Sequence, residues 1–154
     1  MTLNRVLCSA VVAALFAPGV VMTAEPSVKE VQHARHEHYE ELGDAFKVVR
    51  DQTRASKPDL AALKTAAKKV NDASVNQEQW FPAGSGPEAG KTRALPDIWA
   101  KPTEFKAAIK MFSDAAPKLH AAATAGDVAA IKTAFGDVGK ACKNCHDTFR
   151  APED

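Results

Sequence analysis

Between Ser27 and Arg150 the apolar residues recur every three or four positions, and no stretch alternates with the period of two that a half-buried strand requires. Four segments carry this helical period. The first opens on Ser27-Val28-Lys29-Glu30, a capping-box pattern, and its stripe reads Val28, Val31, Arg35, Tyr39, Leu42, Phe46, Val49. The second is expected to start at Pro58 and run through Leu60, Leu63, Ala67 and Val70 to about Val75. The third begins at Pro102 and buries Phe105, Ile109, Phe112, Ala116 and Leu119, with a kink expected at Pro117. Gly126 ends it, and Asp127 caps a fourth that reads Val128, Ile131, Phe135, Val138, Cys142, Cys145, Phe149. The economical fold is all-α: an antiparallel four-helix bundle with a long loop between helices two and three.

That loop, residues 77–96, is rich in Gly and Pro and has no helical period. Its length and its Trp80-Phe81 pair suggest a segment that covers something. Residues 1–24 read differently from the rest. Arg5 precedes an almost wholly apolar run, Val6 to Val21, followed by Thr23-Ala24, the layout of a cleaved secretory signal. A membrane anchor is the rival reading, but the run falls short of the ~20 apolar residues that a spanning helix needs. The expected product is a periplasmic domain, residues 25–154, with no membrane span after cleavage. Its 19 acidic side chains are matched by 19 basic ones once Arg5 is removed, so nothing recommends nucleic acid as a partner. Cys8 leaves with the signal, and Cys142 and Cys145 remain.

Cys142-Lys143-Asn144-Cys145-His146 is the five-residue sequence at which haem c is attached. At ~100° per residue, steps of three and four return to one helix face, so both thiols and the imidazole share an arc. Each thiol can add across a haem vinyl group, giving a thioether, while the imidazole reaches the iron as its axial ligand. A redox disulfide uses the same cysteine spacing, but at a helix start beside strands. A zinc site would need about four ligands, and three are local. One covalently bound haem c, held by Cys142, Cys145 and the iron ligand His146, is therefore the expected cofactor, with a haem-free thiol–disulfide protein as the remote alternative.

A haem rereads the first helix. Arg35 sits on the apolar stripe, where an unpartnered charge is costly, and a propionate would be its partner. The alternative is that its stem packs and its head reaches water. Tyr39, one turn on, would face the distal side of the iron or act as a core aromatic. His33, His36 and His38 fall off the stripe and read as exposed residues, and Met111, the one methionine after the signal, reads as core packing rather than a ligand.

Taken with Phe81-Pro82-Ala83-Gly84-Ser85, Ala94-Leu95-Pro96-Asp97-Ile98-Trp99 and Cys142 through Arg150, the chain resembles the class II c-type cytochromes, of which cytochrome c′ is the best-known member. The resemblance implies a four-helix haem bundle, often a homodimer packed through its first two helices. It also implies that Arg35 lies near a propionate, that His36 and Ser85 contact the haem, and that Arg150 lies on its proximal side. Low-spin members carry a ligating Met where this chain has Tyr39. The resemblance therefore favours a five-coordinate, high-spin iron with a crowded distal pocket that admits NO or CO. The alternative is a low-spin, six-coordinate electron carrier. Either way the partners implied are redox proteins or small gases, and no catalytic constellation beyond the iron is legible.

Overall fold

A computed structural model describes residues 25–152; the export segment expected over residues 1–24 lies outside them. Among these residues five α-helices follow one another: α1 (Val28–Arg54), α2 (Leu60–Ala73), the short α3 (Asp97–Ala100), α4 (Pro102–Ala125) and α5 (Val128–Phe149). The four long ones make the bundle, and no strand is present among the described residues. The helix starts have local causes. The Ser27 hydroxyl accepts from Glu30 N–H, and the Glu30 carboxylate accepts from Ser27 N–H at 2.7 Å, which completes the capping box. Asp127 accepts from Ala130 N–H at 3.0 Å to start α5, directly after Gly126 closes α4 at φ +72°, where a Cβ would be strained.

Several boundaries differ from the sequence expectation. The second helix starts at Leu60, because Asp59 accepts from both Ala61 and Ala62 N–H groups and is the stronger cap; Pro58 stays outside. It ends at Ala73, and Val75 is exposed. Val28, expected on the buried stripe, is instead exposed in the first turn of α1. Helix α4 runs through Pro117 unbroken. Met111 is exposed on its outer face, so the core-packing role expected for it is corrected.

The main core fills the bundle centre with Val49, Leu63, Val70, Phe112, Leu119, Ile131 and Val138. A second cluster, Ile98, Phe105, Ala108, Ile109 and Phe149, lies under the long loop with Phe81 and Trp99 against it. Helix α1 packs closely on α2, and α4 closely on α2 and α5, whereas α1 and α5 barely touch. The bundle is thus left open along one side, and the site lies there.

Candidate functional site

A cavity of about 1240 Å³ occupies the space between α1 and α5. It exceeds the usual span of small-molecule pockets, roughly 300–1,000 Å³, and its wall is mainly apolar, with a few polar groups. Helix α5 contributes Val138, Ala141, Cys142, Cys145, His146 and Phe149; α1 contributes Arg35, His36, Tyr39, Leu42 and Phe46; the loop adds Phe81, Thr92 and Arg93, and Arg150 closes one end. Seven of the eight residues singled out from the sequence therefore line this one cavity, from two facing walls, and only Ser85 stands behind it.

Cys142 and Cys145 are free thiols at the seam of the two clusters, Cys142 packed on the bundle core and Cys145 on the cluster under the loop. Burial pushes both thiols up, Cys145 to about 11 with help from Cys142, so both are protonated at neutral pH. Burial lowers the pKa of His146, and the nearby Arg150 and Arg93 lower it further against a weaker opposing pull from Asp147. The imidazole is thereby favoured in its neutral form, the form that ligates a metal.

The end of α5 is held by the loop. Leu95 N–H donates to Phe149 O at 3.0 Å and Ala151 N–H to Arg93 O at 2.8 Å, a short antiparallel pairing centred on Ala94 and Arg150. The Arg93 guanidinium adds bonds to Ala151 O through Nε and Nη2. Arg150 N–H donates back to His146 O at 3.2 Å and terminates the helix. The long loop thus pins the helix turn that carries His146.

On the opposite wall, Arg35 is 4% exposed. Its Nη1 donates to Trp80 O at 3.2 Å and Ser85 Oγ at 3.0 Å; its Nη2 donates to Ser85 O at 2.8 Å and Thr92 Oγ1 at 3.1 Å. Its guanidinium carbon also stands 4.7 Å from the Phe81 ring centroid. All four acceptors are neutral, and no carboxylate pairs with this buried cation among the described residues. Gln32 adds bonds to Ser85 O and Gly86 O, so α1 grips the loop at two levels. The sequence singles out neither Gln32 nor Thr92, and it marks Trp80 only as half of the aromatic pair in a covering loop, not as a partner of Arg35. They lie 45 to 57 residues from their partners, and no local pattern marks such pairs.

Tyr39 is wedged edge-on against Trp80, with centroids 5.2 Å apart, and tilted on Phe81 at 6.2 Å. Burial raises its pKa well above the ordinary phenol value, and the two cysteines across the cavity raise it further against the lowering pull of Arg35. Of the histidines, His33 and His36 sit at the cavity mouth, pair with Glu37 and Glu40 at 3.2 Å, and are exposed. His38 is exposed but stacks on Trp80 at 4.8 Å, so it is more than a solvated residue.

A sequence model described as Cytochrome C′ matches residues 30–150. A cytochrome c′ of Alcaligenes xylosoxydans xylosoxydans is 46% identical over 71 residues, 46% of this chain and about half, 54%, of that protein's length. The cytochrome c′ of Rhodospirillum rubrum is 31% identical over 157 residues, 97% of this chain and 99% of that one. Among solved structures, cytochrome c′ from Thermochromatium tepidum superposes with a TM-score of 0.78 at 27% identity, covering 84% of this chain and 100% of the other. Variants of Alcaligenes xylosoxidans cytochrome c prime bound to carbon monoxide and to nitric oxide, both 29% identical, give TM-scores of 0.74 and 0.72 over 82% and 84% of this chain and 98% and 100% of theirs. The chain belongs to the cytochrome c′ family, whose cofactor is a covalently attached haem c.

Proposed function

We propose that this chain is an exported, periplasmic monohaem cytochrome whose five-coordinate, high-spin iron binds NO or CO, and which exchanges single electrons with redox proteins. The observation that carries the reading is the composition of the two cavity walls: thiols and an imidazole on α5, and facing them from α1 a buried phenol, with His33 and His36 exposed at the mouth and paired with Glu37 and Glu40. The haem iron supplies a one-electron couple and a coordination position. The chain supplies everything else.

Cys142 and Cys145 anchor the cofactor through thioethers, and His146 ligates the iron from a helix end that the loop holds rigid. Tyr39, braced by Trp80 and Phe81, crowds the distal face and limits it to small ligands. Arg35 is a buried cation without an anion, and a propionate completes it. Its four loop bonds engage both terminal nitrogens, so Arg35 would offer a propionate its charge and its remaining Nε–H. His36 and Arg150 line the same cavity on its distal and proximal sides, and Ser85 acts on the haem from behind Arg35. Met111 is exposed and off the cavity, which leaves no methionine among the described residues to close the iron. Pairing of two copies through α1 and α2 is supported by the apolar Val48 and Leu60 left exposed on those helices.

The test is an absorption spectrum of the haem-loaded ferrous protein before and after CO. A high-spin spectrum that shifts on adding CO is expected. A low-spin spectrum indifferent to CO would overturn the open-iron reading and leave a six-coordinate electron carrier.

A further inference from the structure

Among the described residues, Arg35 carries the one charge buried against both the loop and the cavity wall, and what fixes it is not α1. Its long stem could turn the guanidinium out to water, where Lys and Arg heads ordinarily go. Four oxygens of the loop prevent this: the carbonyls of Trp80 and Ser85, and the hydroxyls of Ser85 and Thr92. The carbonyls belong to the backbone and would be present with any residue. The two hydroxyls are choices of side chain. Ser85 is 1% exposed and does not reach the cavity wall, so its hydroxyl, whose partner is Arg35, has no route to the haem except through that residue. Thr92 is half-buried on the wall, and its Oγ1 also accepts from Ala94 N–H at 3.2 Å.

The geometry points to Ser85 and Thr92 as positioning residues that set the haem's reduction potential by holding the Arg35 guanidinium at the cavity wall. The inference rests on Arg35 being the cation that faces the haem. A cation fixed beside the haem favours the ferrous state, which carries one positive charge fewer than the ferric state. Releasing the guanidinium to solvent exchanges that fixed charge for a hydrated, screened one, and the ferric state gains. The hydroxyls thus act on electron distribution at the iron without touching it.

Thr92→Val tests this with little change of shape, since it replaces one hydroxyl by a methyl, and the half-buried site keeps the risk of misfolding low. In haem-loaded protein at one fixed redox poise, the ratio of ferrous to ferric haem is expected to fall about threefold, toward the low end of what one hydrogen bond contributes, since three other bonds still hold the guanidinium. Thr92→Ser, which keeps the hydroxyl, is expected to restore the ratio. In an Arg35→Ala background, Thr92→Val is expected to change nothing further. An equal fall in that background would overturn the inference, since Thr92 would then act through the Ala94 contact. An unchanged or raised ratio for Thr92→Val where Arg35 is present overturns it as well. If Arg35→Ala alone shifts the ratio but Thr92→Val does not, only this inference fails. If Arg35→Ala shifts nothing, the assignment of Arg35 to the haem fails with it.

Discussion

Tyr39 is the only tyrosine in the chain, so a phenolate signal reports on this residue alone. Its ring is clamped between Trp80 and Phe81, and burial holds the phenol neutral far above its ordinary pKa of 10.0. In the unfolded chain the same phenol ionises near that ordinary value. Above it the unfolded state has given up a proton that the folded state retains, so raising the pH favours unfolding. The sign is that of any group whose pKa is raised by folding: its share of stability is complete below pH 10 and drains away as pH rises toward the folded value. The slope is at most about 1.4 kcal/mol per pH unit, the worth of one proton. The perturbation is Tyr39→Phe, which removes the titration and keeps the aromatic packing. Denaturant melts of both proteins at steps from pH 9 to about pH 11.5 measure the difference, which cancels the common effects of lysine titration. The stability of the wild type relative to Tyr39→Phe is expected to fall with that slope above pH 10, and ultraviolet difference spectra are expected to show no phenolate until the protein unfolds. A phenolate that forms near pH 10 in the folded protein, with parallel stability curves, would refute the burial of Tyr39 against the cavity.

Leu119→Ala empties a fully buried position of the bundle core and is expected to cost about 2–5 kcal/mol in denaturant melts, with a larger effect than any change at the exposed Leu60. Asp127→Ala removes the hydroxyl-free carboxylate cap that starts α5 and is expected to cost about 1 kcal/mol, whereas Asp127→Asn is expected to cost far less, by the same melts. Mass spectrometry of protein recovered from the periplasm is expected to find a mature chain beginning at Glu25, within a few residues, and an intact Met1 start would refute export by cleavage.

Much of this organisation was legible because its causes are local. The spacing of Phe105, Ile109, Phe112, Ala116 and Leu119 marks one face of α4, and all five are buried. The capping box at Ser27, the left-handed Gly126 and the Asp127 cap each act within four residues, so sequence alone reveals them. The shared arc of Cys142, Cys145 and His146 follows from helix geometry in the same way. The failures have the opposite character. Pro58 is a good first-turn residue, but Asp59 satisfies two free N–H groups at once, and that outweighs it. The position of Met111 depends on where α4 faces, and its neighbour Phe112 takes the core side. The turns at Gln77–Trp80 and Pro87–Ala89 inside the long loop, and the short α3 just after it, have too few residues for a period to show. The pairing of Leu95 with Phe149 and the grip of Thr92 on Arg35 join residues more than fifty positions apart, and nothing in either segment announces the other. The loop therefore looked like a cover, and its second task, holding the Arg35 charge and the His146 helix turn in place, emerged only with the fold.

The central claim is that the cavity between α1 and α5 holds a haem fixed by Cys142, Cys145 and His146. The most direct measurement is the mass of the denatured, proteolysed protein made in a host with haem-attachment machinery. The peptide containing Cys142 through His146 is expected to carry one haem joined at both cysteines, and the Cys142→Ala, Cys145→Ala double variant is expected to carry none. A wild-type peptide with two free thiols, or haem retained through denaturation in the double variant, would contradict the claim.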